Sequence, residues 1–305
     1  MAQRKFIFLF LDGVGLGAAT AANPLAAGEE ATPFLKQLLG AALLITTRQE
    51  TAQLLLKPID AQLGVPGLPQ SATGQTALYT GCNAPQFRGR HQTGFANGSL
   101  RRLIEPYGLL KRIVMQGGTA TLANLYSPQY FQDIAQRRRR YSVGTLLNLT
   151  AGLPFRMGED YQRGEAVFWD ITGALAQASG IITAPITPQE AGQRLANIAA
   201  HHTLTLFESY LTDFAGHRQD RQQAVAVLRR IDALLESLFT RLPAHTTLVI
   251  SSDHGNIEDL SSKKHTLNPV PLLVVGPDAN AFSSITDITG ITPRLLTLTA
   301  ASASK

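Results

Sequence analysis

The stretch "KFIFLFLDGVG", Lys5 to Gly15, decides the fold. The apolar run from Phe6 to Leu11 leads into Asp12 and then a glycine-rich turn. Arg4 and Lys5 ahead of it, and small residues behind it, make the segment imitate a signal peptide. The run is short for a signal core and breaks at the carboxylate, so a buried parallel strand bounded by turn signals fits it better. We therefore expect these residues to remain in the mature protein.

Working outward, three more segments have the same character: "HTLTLFESYL" from His202, "TTLVISS" from Thr246 and "VPLLVVG" from Val270. Near-continuous apolar or β-branched runs of this kind are buried on both faces of a parallel sheet. Between them, residues 188–200 and 218–240 place apolar side chains at three-and-four spacing, the period of an amphipathic helix. Strand alternating with helix predicts an α/β fold, a doubly wound and mostly parallel sheet. From about Arg88 to Ala184 the pattern changes to short mixed elements richer in Arg, Tyr and Gly. The expected division is a discontinuous α/β core, residues 1–88 and 185–305, with residues 89–184 as an inserted α+β cap.

Composition narrows the setting. With 305 residues, 44% hydrophobic and 16% charged, the chain is neither disordered nor fibrous. No apolar run approaches the roughly 20 residues of a membrane span. Cys82 is the lone cysteine, which excludes an internal disulfide framework and fits a reducing, cytoplasmic setting. The net charge of +5 suits an anionic partner. The densest basic run, "QRRRRY" from Gln136, reads as a solvated face, and no nucleic-acid-binding module accompanies it. A small anionic substrate stays open, with neither nucleic acid nor membrane as partner; the oligomeric state is not legible.

Three of the four strong strands run into a carboxylate: Asp12, Asp213 and Asp253. In open α/β sheets ligands bind beyond the carboxyl ends of the strands, so these acids should converge. One aspartate after a strand is commonly a turn or cap. Here His217 follows Asp213 by four positions, His254 follows Asp253 directly, and His265 precedes the last strand. Three carboxylates and three imidazoles form two sets of oxygen and nitrogen ligands, enough for two divalent ions, with Zn²⁺ or Mn²⁺ suited to the mixture. Ser71, after the turn-forming "GVPGLPQ" and before "ATGQTALYTG", should begin a helix whose N-terminus favours an anion. A hydroxyl needs activation to serve as a nucleophile, and metal coordination would supply it. A plain N-cap serine would sit identically, and pattern alone does not separate the two.

Together these residues resemble the alkaline phosphatase superfamily of metalloenzymes, in particular its branch of cofactor-independent phosphoglycerate mutase and phosphopentomutase. Ser71 precedes the helix-closing Gly81 by ten residues, the spacing of that branch's nucleophile. "LDGVGLG", "SDHGNIED" and "KHTLNPVPLLVVG" look like mutase signatures, and "TDFAGHRQD" looks like the phosphopentomutase form of the aspartate-glycine-histidine motif. The resemblance implies one metal held by Asp213, His217 and His265, and another by Asp12, Asp253, His254 and the Ser71 oxygen. It further implies that Ser71 attacks a phosphorylated metabolite to give a phosphoserine, which passes to water or to another hydroxyl.

The middle of the chain departs from the family. The large phosphoglycerate mutase insert and its Arg-Asp motif are missing, which tilts the expectation toward a phosphohydrolase, with a phosphomutase as the alternative. Lys264, Arg88, Arg90, His91, Arg101 and Arg102 are candidates to hold substrate anions, each with a solvated surface charge as its plainer reading. A sulfatase would need Pro and Arg near the nucleophile, where Thr73 and Gln75 stand. A phosphodiesterase is a further distant alternative. A catalytically inactive binding module would be expected to have lost ligands, and all seven metal-site positions are filled.

Overall fold

The computed structural model describes residues 4–303. Seven strands form one sheet: β1 Lys5–Leu11, β2 Gln49–Glu50, β3 Leu54–Ile59, β4 Ala120–Leu122, β5 Leu204–Ser209, β6 Thr246–Ser251 and β7 Val270–Val275. Their spatial order is β2-β3-β7-β6-β1-β5-β4. The stretch from Lys5 is the central strand, parallel to β5 on one side and β6 on the other, with Phe6 opposite both Leu204 and Thr247.

The apolar run of β1 is continuous because both faces of the sheet are covered. Alternate side chains point opposite ways. Phe6, Phe8 and Phe10 enter one core, where Phe8 and Phe10 meet the ring of Tyr79 edge-on at 5.9 and 5.8 Å. Ile7, Leu9 and Leu11 enter the other, beneath the helices Pro188–Ala199 and Arg221–Thr240. Those two helices bear out the three-and-four spacing read from the sequence.

The α/β architecture is as expected, but the sheet is mixed rather than mostly parallel. β7 runs antiparallel to β6 and to β3, and β2 antiparallel to β3. An apolar run buried on both faces carries no mark of direction, so "VPLLVVG" could not announce its orientation.

The expected separate cap over residues 89–184 also needs correction. Residues 120–122 pair with β5 inside the main sheet. Leu100, Leu103, Ile104, Leu109, Ile113, Leu146 and Leu147 are buried in the same core as Phe6 and Tyr79. Helices Gly98–Tyr107, Leu109–Met115 and Val143–Thr150 therefore belong to a layer of the main body. What stands apart is smaller: Leu125, Tyr161, Ala166 and Ala176 make a satellite core, with Phe168, Ile181, Ile182 and Ile186 packed against it. No helix among the described residues is long and apolar enough to cross a membrane.

β1, β5 and β6 are parallel neighbours, so their carboxyl ends share one edge of the sheet. Asp12, Asp213 and Asp253 all lie just beyond those ends.

Candidate metal centre and its cavity

Two groups of side chains gather at that edge. Asp213, His217 and His265 offer ligand atoms within 4.8 Å of one another, and so do Asp12, Asp253 and His254. In the first group the helix Leu211–Arg218 carries Asp213 in its first turn and His217 one turn on, the spacing that places two side chains on one face. His217 Nε2 lies 3.3 Å from Asp213 Oδ2, and His265 Nε2 lies 3.6 Å from Asp213 Oδ1. Each of these histidines is turned by its other nitrogen. His217 Nδ1 sits 2.7 Å from the carbonyl of Lys263, and His265 Nδ1 sits 2.8 Å from that of Pro69. A carbonyl only accepts, so Nδ1 carries the hydrogen and the Nε2 lone pair faces Asp213, ready for a metal.

The second group is fully buried. His254 Nε2 is 3.4 Å from Asp12 Oδ1 and 3.6 Å from Asp253 Oδ2. Its ring stacks on His265 at 3.7 Å, which brings the two groups side by side. Burial, with His265 close by, pushes the His254 imidazole down to about 3, so it is a neutral donor of a lone pair. Burial, with Asp213 nearby, pushes Asp253 up to about 7. Asp12 is raised well above the usual carboxylate range by burial and then by Asp253 and Asp213. Asp12 Oδ1 and Asp253 Oδ1 are buried without any hydrogen-bond partner. Orphaned acceptors, mutually repelling carboxylates and neutral imidazoles are the surroundings that a divalent cation satisfies, so the donor set fits metal.

Ser71 lies at the start of its helix but not at the cap. It is the first residue of the helix Ser71–Thr80, and Gln70 is the cap, so Ser71 does not cap the helix. Its Oγ instead lies 3.0 Å from His254 Nε2. Gly74 makes this approach possible: a Cβ there would fall 2.8 Å from both the Cβ and the carbonyl oxygen of Asp253. Gln75, one residue on, donates to Asp253 Oδ2 at 3.2 Å.

Some supporting residues escaped the sequence reading. Glu258 accepts from the amides of Gly15 at 2.9 Å and Asn256 at 2.8 Å, and from Asn268 Nδ2 at 3.1 Å and the Thr266 hydroxyl. One buried carboxylate thus ties together the loops that carry Asp12, His254 and His265. Its place in "SDHGNIED" was the available signal. Asn256 donates to Asp213 Oδ1 at 2.7 Å. Glu208, at the end of β5, accepts from Tyr79 at 2.7 Å and Tyr210 at 2.8 Å, and burial raises its carboxyl above the ordinary value.

A cavity of about 480 Å³ opens over the site, with Asp12, Ser71, Gln75, Glu208 and Asp213 among its lining residues. None of Lys264, Arg88, Arg90, His91, Arg101 and Arg102 lines it. Arg88 bonds Gln92 and Ser99, Arg101 lies over the Tyr141 ring and Arg102 over Phe87, and His91 bonds the carbonyl of Val65. Arg90 and Lys264 are exposed. The lining cation is Arg139, from the run read as a solvated face. Chain distance hid it: Arg139 is 68 residues from Ser71, and only the fold brings them to one cavity.

Residues 177–299 match the family described as "Metalloenzyme superfamily". A 2,3-bisphosphoglycerate-independent phosphoglycerate mutase of Syntrophotalea carbinolica is 36% identical over 73 residues, 22% of this chain and 14% of that protein. A phosphopentomutase of Sodalis glossinidius is 34% identical over 65 residues, 21% of this chain and 16% of that protein. The match thus spans about one-seventh of the length of these relatives. In fold, the alkaline phosphatase of the Antarctic bacterium TAB5 superposes with a TM-score of 0.57 at 14% identity, over 98% of this chain and 99% of that one. The C-terminal part, residues 177–299, is thus similar to the metalloenzyme superfamily, and along nearly its whole length the chain has a fold like that of an alkaline phosphatase.

Proposed function

We propose that this chain hydrolyses phosphate monoesters through a phosphoserine at Ser71. Two divalent ions, Mn²⁺ or Zn²⁺, would be held by Asp213, His217 and His265 and by Asp12, Asp253 and His254 with the Ser71 oxygen. When bound, the ions supply positive charge to the phosphoryl oxygens and the leaving oxygen. The single observation that carries the reading is Ser71 Oγ, 3.0 Å from His254 Nε2, on the first residue of a helix that opens into the cavity.

The chain's own residues then divide the work. The first-turn amides of the Ser71–Thr80 helix would favour the negative charge of a phosphate held at Ser71. Ser71 gives up its hydroxyl proton to water and its Oγ bonds to phosphorus as the bond to the leaving oxygen breaks opposite, and the departing alkoxide takes a proton from water. Water next attacks the phosphoserine, the bond to Ser71 Oγ breaks, and the serine regains a proton. The sum is ester plus water giving alcohol plus inorganic phosphate. His217 and His265 hold their protons on Nδ1 throughout, fixed by the carbonyls of Lys263 and Pro69.

A phosphomutase is the second reading, supported by the names of the two relatives above, a phosphoglycerate mutase and a phosphopentomutase. Assaying metal-loaded protein against a panel of phosphorylated metabolites separates the two. Hydrolysis releases phosphate and alcohol in equal amounts. Isomer formation without phosphate release would establish the mutase, and no turnover of any ester would refute both.

A further inference from the structure

The geometry points to a substrate whose organic part is a bulky aromatic group, rather than the carboxylate- or hydroxyl-rich skeleton of a sugar phosphate or phosphoglycerate. This rests on the phosphohydrolase reading above and concerns the rest of the cavity that Ser71 lines. Much of its wall is aromatic. Phe95, Tyr126, Phe168, Trp169 and Phe214 line it, drawn from segments far apart in the chain. Trp169 is the centre of a contiguous surface, with its ring 5.6 Å from Phe168, 5.9 Å from Tyr210 and 5.5 Å from Phe214. Phe95 and Phe214 are 43% and 53% exposed although both face the cavity. Aromatic rings left exposed in the lining of one cavity are apolar surface that a ligand ring would cover.

The polar groups in the same wall are already engaged with one another. Thr145 Oγ1 lies 2.9 Å from the Tyr126 hydroxyl, 2.9 Å from that of Tyr130 and 2.7 Å from Ser142 Oγ. Glu208 takes the hydroxyls of Tyr79 and Tyr210. These bonds occupy the hydroxyl donors, so the same wall offers a sugar few free donors. Charge argues the same way: Arg139 is the one cation lining the cavity among the described residues, and its guanidinium sits 5.2 Å from the centre of the Tyr130 ring. Glu208, which belongs to neither metal group, lines the cavity too, so a second anionic group placed beside it would meet a carboxylate.

The test compares 2-phenylethyl phosphate with ethyl phosphate and 3-phosphoglycerate. All three leave as alkoxides, so the comparison reads recognition of the organic group rather than leaving-group chemistry. With metal-loaded protein we expect kcat/KM for the phenylethyl ester to exceed that of ethyl phosphate on the order of 100-fold, the scale of burying one ring. Phe214→Ala should cut that ratio about tenfold. The same ratio is measured as binding affinity to metal-loaded Ser71→Ala, which needs no turnover. A ratio near one in either measurement, or a preference for 3-phosphoglycerate, overturns the aromatic assignment and leaves the hydrolase standing. Tight phenylethyl phosphate binding with no phosphate released by the wild type instead overturns the hydrolase on which the assignment rests.

Discussion

At the scale of the residue, the question is what holds Ser71 and what it does there. A serine at a helix start is ordinarily a cap, and losing a cap costs about 1 kcal/mol. Here Gln70 occupies the cap position, and the Ser71 hydroxyl meets His254 instead. Ser71→Ala should therefore change unfolding free energy by no more than about 0.5 kcal/mol while abolishing turnover. Denaturant titration beside a phosphate-release assay checks both parts. A loss of stability near the value for a cap would return Ser71 to a structural role. The carboxylates around it illustrate the same opposition between stability and use. Asp12 and Asp253 are buried close to Asp213, with oxygens that accept nothing, an arrangement that costs the metal-free protein stability.

At the scale of the element, the contact of the Ser71–Thr80 helix with the loop after β6 sets the nucleophile's position. Ala is ordinarily better than Gly inside a helix by roughly 0.5–1 kcal/mol. At Gly74 the sign should reverse, because the added methyl would press on the backbone of Asp253. We expect Gly74→Ala to cost about 1–3 kcal/mol and to depress kcat more than KM, measured by denaturant titration and steady-state kinetics. A stabilised, fully active variant would show that the helix has room to move. The elements also show why only part of the fold was legible. β1, β5, β6 and β7 announced themselves because unbroken apolar runs mean burial on both faces. The three residues of β4 and two of β2 are too few to carry a pattern, and Lys57 and Pro58 interrupt β3. With β4 unread, residues 98–122 looked detached from the sheet that they in fact extend. The acids and histidines could be read since each stands beside a strand or within one helical turn of a partner. The aromatic wall could not, since only the tertiary fold brings Phe95, Trp169 and Phe214 to one cavity.

At the scale of the whole molecule, the metal groups join segments that otherwise share few covalent neighbours: Asp12 follows β1, Asp213 and His217 follow β5, and His265 precedes β7. Ions that bind only the folded chain stabilise it by about 2.7 kcal/mol at a hundredfold excess over Kd. Chelation should accordingly lower the melting temperature by about 4 °C for one site and about 8 °C for two. Readdition of Mn²⁺ or Zn²⁺ should restore it in the wild type, and Asp213→Ala should blunt that response. A melting temperature indifferent to chelation would mean that the two groups do not hold metal. The central claim, a phosphoryl group carried on Ser71, is tested most directly by acid-quenching metal-loaded protein during turnover of a phosphate ester and mapping phosphate on its peptides by mass spectrometry. The account predicts phosphate on the peptide containing Ser71, and none there in Ser71→Ala. Undiminished turnover by Ser71→Ala, or phosphate trapped on a different residue, would contradict it.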